Sequence, residues 1–460
     1  MHTPRHLEEP RIESPHDLMR KQPLAMAALG RERGCPVARR DLRSLDDLRG
    51  FLRTHEPDWS RINLLGLDLR SDNLDDALLK QEFDYGTAFL GCQMSPSLAR
   101  KVVSAGALVV PGRPALPFNA FRSEVYRARD LLKDYTPEKP ETYLRTPDWR
   151  CYLAAMDKLT KQKRTDLGID DAVFLRLHDL SIEDALGEYL RPKNQAASAV
   201  KRVVGIMGGH DRERLEKSRG QDGRPTGNDA PYTQVALLAR SLAREGFTIA
   251  TGGGPGAMEA SNLGAWFACR SEDELRQAVR ILERVPKVRP VAPGSPDWNS
   301  GEWLGPAFEV MEKFPRDESD PRTESVGVPT WFYGHEPPNP FASHIAKFFE
   351  NSIREEGVLA IATHGVIFAE GNAGTVQEIF QDACQNYYAT RGPAAPMVLL
   401  GTEYWNRDVS KEVASNAKPV WPLLHQLGAE KGFAHLLRLT DDLEEIVRFL
   451  LDPGPRGSAL

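Results

Sequence analysis

One short stretch combines residue types that bind phosphate groups in many proteins. It runs from Phe247 to Ala260 as FTIATGGGPGAMEA, so five strand-forming residues lead into a glycine-rich turn and then a predicted helix. Glycine permits positive φ angles and close backbone approach, and a helix N-terminus presents unpaired N–H groups to an anion. The pattern predicts a phosphate-binding turn, with a purely structural turn as the alternative. The candidate residues are Gly252, Gly253, Gly254 and Gly256.

Two further glycine turns follow predicted strands. Gly208, Gly209 and His210 come after the apolar run Arg202–Met207, and the turn 370–375 (EGNAGT) follows another apolar run. His210 either contacts substrate or satisfies the loop backbone. None of the three turns carries the lysine of a Walker A loop. The GxGxxA spacing at residues 252–257 is permissive for dinucleotides, but it follows the second strand of its domain and lacks the acidic residue at the end of the next strand.

The turns are positioned by strands and helices that alternate between residues 200 and 452. This alternation predicts an α/β fold, a doubly wound, Rossmann-like parallel sheet with helices on both faces. Ligands of such sheets bind at the carboxyl ends of the strands, where all three turns fall. Residues 211–229 look too polar for the core, and 286–323 look like a long loop. Helices are predicted over 232–245, 257–269, 271–282, 341–356, 375–388, 421–427 and 441–451, and strands over 202–207, 247–251, 326–333, 358–369, 396–401 and 435–439.

The preceding residues form other predicted regions. Residues 1–40 are polar and proline-rich and predict a loose arm, and 453–460 form a tail. Residues 41–195 are interpreted as an accessory α/β domain in which 120–195 is mostly helical. The residue pattern does not indicate what this accessory domain does.

Composition excludes several classes of function. The net charge of −6 gives no basic footprint for nucleic acid, and no apolar run is long enough for a membrane span. The five cysteines are scattered without metal-ligand spacing, which favours a cytoplasmic protein with reduced thiols. We expect no metal and no cofactor.

The motifs together resemble those of the LOG (Lonely Guy) family of phosphoribohydrolases. GGGPGAMEA, the GxxGTxxE turn, Gly208-Gly209-His210 and residues 336–340 (EPPNP) carry the resemblance over about residues 200–452. They are most similar to the bacterial pyrimidine/purine nucleotide 5′-monophosphate nucleosidases of this family. The resemblance implies hydrolysis of the N-glycosidic bond of a nucleoside monophosphate, giving a free base and ribose 5-phosphate.

Site residues follow from the resemblance position by position. It implies phosphate binding by Gly371, Gly374 and Thr375, and catalysis by Glu378 together with Arg354. It places Met258 and Glu259 near the sugar and base. A carboxylate suits this chemistry because cleavage builds positive charge on the ribose ring. Glu378 as a helix-dipole residue in a first turn, and Arg354 as a solvated helix residue, are the structural alternatives.

The chain departs from the family turn PGGxGTxxE at two positions. Glu370 replaces the proline, where a carboxylate repels phosphate unless it is turned away or paired, and Asn372 replaces a glycine, where asparagine tolerates a left-handed conformation. A catalytically silent nucleotide-binding protein is therefore the alternative function. The resemblance also implies a homodimer or higher homo-oligomer whose active site is completed across the interface.

Overall fold

The computed structural model describes residues 40–54, 57–159, 169–191, 201–220, 222–289, 299–332, 336–390, 393–407 and 416–455. The chain divides into two units, Met1–Pro111 and Gly112–Leu460. The predicted arm (residues 1–40) lies outside the described residues except for Arg40, and of the predicted tail only residues 453–455 are described.

The first unit contains a four-stranded parallel sheet with the strand order β1-β2-β3-β4. Its helices begin where the sequence indicates: Ser44 caps the first with a capping box, and Ser95 caps the third, with Pro96 as its first residue. The strands are β1 Arg40–Leu42, β2 Ile62–Leu65, β3 Ala88–Leu90 and β4 Leu108–Val110, and the helices are α1 Leu45–Leu52, α2 Asp72–Leu79 and α3 Pro96–Ser104.

The second unit is built on a seven-stranded sheet whose strand pairs are all parallel. The strand order is β10-β9-β8-β5-β11-β12-β13, so β5 lies in the centre. This order is the doubly wound arrangement that the alternation of strands and helices predicts. The strands are β5 Arg202–Met207, β8 Phe247–Thr251, β9 Ser325–Gly327, β10 His344–Ile345, β11 Val366–Phe368, β12 Met397–Leu400 and β13 Leu437–Thr440, with a separate two-stranded sheet of β6 Lys217–Arg219 and β7 Pro225–Asp229.

Helices cover the large sheet and extend into the segment before it. Ser271 caps one of them with a capping box, and Gly246, at φ +81°, ends another. No helix among the described residues is long and apolar enough to cross a membrane. The helices are α4 Ala128–Leu131, α5 Pro147–Leu159, α6 Ile169–Leu190, α7 Pro231–Arg244, α8 Ala257–Trp266, α9 Glu272–Leu282, α10 Ser300–Lys313, α11 Asn351–Ile361, α12 Ala373–Tyr388, α13 Thr402–Asn406, α14 Trp421–Lys431 and α15 Leu443–Leu451.

Residues 112–190 belong to the unit with the seven-stranded sheet, whereas the sequence interpretation grouped them with the N-terminal elements. Buried polar contacts explain this grouping. The Asp148 carboxylate accepts hydrogen bonds from Lys347 Nζ at 2.7 Å and Trp331 Nε1 at 2.9 Å. Lys347 and Asp148 are almost fully buried, so neither charge is stable without the other.

The segment before Arg354 differs from the prediction. Residues 341–350 are not helical and include β10, and the helix there is α11, which begins at Asn351. Ile345, Phe348 and Phe349 have helical spacing, yet all three are buried because neighbouring elements enclose the segment. The predicted strand 358–369 is also shorter, because α11 continues to Ile361 and β11 covers only Val366–Phe368.

Two predicted loops contain secondary structure. Residues 211–229 include the antiparallel pair β6–β7, and Arg214 within them is 1% exposed, although the stretch reads as too polar for the core. Residues 286–323 include α10, which tolerates Pro306 within it. Sequence polarity misleads in both places because the partners that bury these residues are distant in the sequence.

Candidate functional site

The glycine turns that follow β5 and β11 meet at the carboxyl edge of the sheet. The two strands are neighbours in the sheet, so the turns that follow them lie side by side. A cavity of about 450 Å³ opens there. Its lining residues are Met207, Gly208, Gly209, His210, Met258, Glu336, Arg354, Glu355, Asn372, Gly374, Thr375 and Glu378.

The N-terminus of α12 forms one wall of this cavity. Asn372 is the N-cap residue, with φ −95° and ψ −151°, and the N–H of Val376 donates to its carbonyl at 3.1 Å. The three preceding helical residues have no intrahelical acceptor for their N–H groups. Two of them, Gly374 and Thr375, line the cavity. This wall therefore offers backbone donors and the positive end of a helix dipole to an anion.

Glu378 and Arg354 form an ion pair within the cavity. Arg354 Nη1 lies 3.6 Å from Glu378 Oε1, and the side chains are 11% and 12% exposed. Burial raises the pKa of Glu378, the positive charge of Arg354 opposes that rise, and Glu355 adds to it. Glu378 lies in the second turn of α12, since the helix begins at Ala373. This position disfavours the alternative of a first-turn dipole residue.

Gly252 makes room for the Arg354 side chain. A Cβ atom at position 252 would lie 2.3 Å from Arg354 Nη2 and 2.6 Å from Met258 Sδ, so any larger residue would displace both. The guanidinium is further fixed because its Nε donates to the Val328 carbonyl at 2.9 Å. The first glycine turn thus positions the arginine that faces Glu378.

Gly256 joins the first glycine turn to the turn after β5. Its φ is +69°, and a Cβ atom would lie 2.4 Å from the Gly209 carbonyl oxygen, so both conformation and space require glycine. The next residue, Ala257, donates its N–H to the same carbonyl at 3.1 Å. Met258, two residues after this turn, is one of the described residues that line the cavity. Gly252, Gly253, Gly254 and Gly256, assigned to phosphate from the sequence, are buried and are not among the residues that line the cavity.

Glu259 lies outside the cavity, in a buried ion pair. Its carboxylate accepts from Arg214 Nε at 2.7 Å and Nη2 at 2.5 Å, and from Tyr232 Oη at 2.9 Å. Arg214 also packs over the Trp303 ring, 4.0 Å from its centroid. Glu259 is 0% exposed and fully engaged, so its place is structural rather than the sugar contact that the resemblance implies.

The two departures from the family turn are accommodated locally. The Glu370 carboxylate is paired with Arg212 Nη1 at 3.1 Å, which opposes the rise in its pKa that burial causes. Asn372 is extended, not left-handed, and its Nδ2 donates to Asp211 Oδ2 at 3.2 Å. Gly371 packs tightly, since a Cβ there would lie 2.1 Å from Thr375 Oγ1. Gly374 and Thr375 of this turn therefore line the cavity even though the family's proline and second glycine are replaced.

The sequence assignment missed four lining residues, Met207, Glu336, Glu355 and Asn372. Glu336 Oε1 lies 4.0 Å from His210 Nε2, so the two polar side chains face each other at the cavity. Signals for three of them exist in the sequence. Glu336 opens the EPPNP motif, Glu355 adjoins Arg354, and Asn372 lies within the second glycine turn. Met207 ends an apolar strand and carries no such signal.

Comparisons with known proteins find structural likeness alone. No protein-family model matches the chain, and no curated protein matches it. The chain is similar to the molybdenum cofactor binding protein from the phototrophic bacterium Rippkaea orientalis, with 13% identity and a TM-score of 0.28 over 55% of this chain and 98% of that chain. It is also similar to the Moco carrier protein from Chlamydomonas reinhardtii, with 12% identity and a TM-score of 0.27 over the same shares. At these values the similarity carries no argument about what this chain binds.

Proposed function

We propose that this protein hydrolyses the N-glycosidic bond of a nucleoside 5′-monophosphate, giving a free base and ribose 5-phosphate. The observation that carries the proposal is one cavity that holds both a helix N-terminus and the Arg354–Glu378 ion pair. The first feature suits a phosphate monoester and the second suits a reaction that develops positive charge. The resemblance of the motifs to the LOG family supports the same assignment.

The proposed chemistry divides between the two sides of the cavity. Backbone N–H groups of Gly374 and Thr375 hold the phosphate, and Arg354 adds a positive charge beside it. As the bond between C1′ and the base nitrogen breaks, its electron pair leaves with the base and the ribose ring becomes cationic. The Glu378 carboxylate stabilises that cation and accepts a proton from the water that adds to C1′. This proton then passes to the departing base nitrogen, which gives the free base and restores the carboxylate.

The remaining lining residues suit the base and the sugar hydroxyl groups. Met207 and Met258 supply apolar surface, and Glu336 with His210 supplies polar groups on another side. A volume of about 450 Å³ lies within the roughly 300–1,000 Å³ that small-molecule pockets occupy.

The test is release of free base from a panel of nucleoside monophosphates, followed by chromatography. We expect Glu378→Gln to lower kcat by about 10²- to 10³-fold, because it removes charge while keeping shape. Glu312→Gln, on the exposed surface of α10, is the matched control and keeps full activity. Nucleotide binding without base release from any substrate would contradict hydrolysis and favour the silent binding protein.

We further propose a homo-oligomeric, cytoplasmic protein. The large apolar side chains just before α11, Phe341, Ile345, Phe348 and Phe349, are buried within the unit, so they do not support an interface. Helix α6 does, because Ile169, Val173 and Leu180 are 84%, 46% and 62% exposed at spacings that share one face. Light scattering tests the assembly, and a 51.3 kDa particle at micromolar concentration would contradict it.

A further inference from the structure

A second and larger cavity, of about 900 Å³, lies at the opposite edge of the seven-stranded sheet. Arg202 and Phe247 line it, and they are the first residues of β5 and β8. Glu324, immediately before β9, and His344, the first residue of β10, line it as well. Since these strands are parallel, their first residues share the amino edge, away from the candidate active site. The other wall comes from residues 123–127 and the end of α6.

The lining of this cavity is basic in a protein that is acidic as a whole. It contains five Lys and Arg side chains against three carboxylates, whereas the chain carries a net charge of −6. An excess of positive over negative side chains in a concave surface attracts anionic ligands. The cations are Arg127, Arg191, Lys201, Arg202 and Arg322, and the carboxylates are Glu124, Glu188 and Glu324.

Two of these arginines make their hydrogen bonds to neutral carbonyl oxygens. Arg127 Nη1 donates to the Ser343 carbonyl at 2.8 Å, and Arg202 donates to the Glu245 carbonyl while its guanidinium lies 4.5 Å from the Phe247 ring centroid. A carbonyl contact orients a guanidinium without cancelling its charge. In contrast, the charge of Lys201 is paired, because its Nζ lies 2.6 Å from Glu324 Oε2. Arg127 and Arg202 are therefore the oriented cations of this cavity.

An aromatic pair forms the floor beside these cations. The Tyr189 and His344 rings stack with centroids 3.8 Å apart, and Lys201 Nζ lies 4.4 Å from the Tyr189 centroid. Burial, together with the charges of Arg127, Lys201 and Arg316 and against that of Glu324, lowers the pKa of His344 to about 3. The imidazole is neutral at physiological pH, so the positive potential comes from the guanidinium and ammonium groups.

We infer that this cavity binds a small organic phosphate, with Arg127 and Arg202 as its phosphate-binding residues. Guanidinium groups present several N–H donors in a planar fork that matches phosphate oxygens. The cavity is larger than an inorganic anion needs, so it has room for an organic part beside the phosphate. The inference does not depend on the proposed hydrolysis, because it concerns the opposite edge of the sheet.

The test is calorimetric titration of the full chain with inorganic pyrophosphate and with ADP. We expect saturable binding of both, weakened by about 10- to 100-fold in Arg127→Gln and in Arg202→Gln, because each loses a charge-assisted hydrogen bond. Arg244→Gln is the matched control, since Arg244 is exposed on α7 and does not line the cavity. Arg127→Lys keeps the charge but not the fork, so its affinity lies between those of the wild type and Arg127→Gln.

A further variant separates this cavity from the candidate active site. Position 374 has open space for a side chain, so Gly374→Asp places a carboxylate at the N-terminus of α12 without steric conflict. This change repels phosphate from the active site, and we expect pyrophosphate still to bind at the amino edge. Loss of binding in Gly374→Asp with normal binding in Arg127→Gln and Arg202→Gln would overturn the inference. Failure of pyrophosphate and ADP to saturate the wild type at millimolar concentration would also overturn it.

Discussion

The Asp179 carboxylate accepts a hydrogen bond from the backbone N–H of Glu350 at 2.8 Å. Glu350 is the N-cap residue of α11, the helix that carries Arg354. The second oxygen of Asp179 accepts from the Phe349 N–H at 2.9 Å, and His178 Nδ1 lies 3.2 Å from the same atom. A side chain from α6 thus caps the helix that positions the arginine of the candidate site. The segment before the seven-stranded sheet therefore has a positioning role.

Asp179→Asn should reduce both stability and turnover. An asparagine amide has one acceptor oxygen where the carboxylate has two, so its NH2 group would face one of the two backbone N–H groups. One buried hydrogen bond is therefore lost, at a cost of about 1–3 kcal/mol. Displacement of α11 should lower kcat by about 10- to 100-fold, because small misplacements of catalytic groups are costly. Urea unfolding and steady-state kinetics measure the two effects. Glu183→Gln, exposed on the same helix, should change neither. Normal kcat in a destabilised Asp179→Asn protein would show that the cap does not position Arg354.

Two substitutions should move the acid limb of the pH–activity profile in opposite directions. The proposed hydrolysis requires the Glu378 carboxylate, so kcat/KM should fall as pH falls through its pKa, which burial raises above the ordinary 4.5. Arg354→Met removes the charge that lowers this pKa, so the limb should move to higher pH. Glu355→Gln removes a charge that raises it, so the limb should move to lower pH.

Residual kcat/KM measured between pH 4 and pH 9 checks both shifts against the wild type. Opposite shifts identify the titrating group as one that feels the charges of both Arg354 and Glu355, as Glu378 does. Equal profiles in all three proteins would mean that a different group controls the acid limb.

Glu259→Gln should destabilise the fold without weakening nucleotide binding. It leaves the buried Arg214 charge without its bidentate partner, which typically costs about 3–5 kcal/mol. The double variant Arg214→Met/Glu259→Leu should recover much of the stability, since it removes both charges together. Urea unfolding and nucleotide titration provide the two measurements. Weaker nucleotide binding at unchanged stability would instead return Glu259 to the substrate site.

Asp382→Asn should flatten the pH dependence of stability. Asp382 lies one turn after Glu378 on α12; burial raises its pKa to about 8, and its Oδ2 has no hydrogen-bond partner among the described residues. The folded state therefore binds a proton that the unfolded chain releases above about pH 4. Stability should fall with rising pH between these values by about 1.4 kcal/mol per unit, and the substitution should remove this slope.

Unfolding free energies at pH 5, 6, 7 and 8 measure the slope for Asp382→Asn and the wild type. Glu312→Gln is again the control, because it changes an exposed carboxyl group and should keep the slope of the wild type. An unchanged slope in Asp382→Asn would assign the proton uptake to another group.

Local sequence signals predicted the scaffold well. Apolar runs located β5 and β8, and the caps Ser95 and Ser271 located helix starts, because these features depend on residues close in the sequence. The family resemblance named Arg354 and Glu378 separately as site residues, and their side chains lie 3.6 Å apart in the structure. Local sequence signals could not show that residues 341–350 are not helical and are enclosed by neighbouring elements.

The contacts that the sequence does not reveal join residues that are distant in the chain. Arg214 is buried because it meets Glu259, and Asp179 is buried because it meets the N-terminus of α11. No local sequence pattern predicts a contact between residues so far apart in the chain. The same reasoning explains why Glu259 looked like a ligand: it follows a glycine turn, and only the fold shows that Arg214 and Tyr232 engage its carboxylate and that it does not line the cavity.

The position of β5 in the strand order determines when the sheet can be completed during protein synthesis. One edge of β5 pairs with β8, which follows soon in the chain, whereas the other pairs with β11, with Gly205 opposite Val366. About 160 residues separate those partners, so at roughly 5–20 residues per second the ribosome takes on the order of 10–30 s to deliver the second strand. Until then the nascent chain carries an apolar strand with one open edge. The centre of the sheet, and the cavity above it, is completed only after most of the chain has been synthesised.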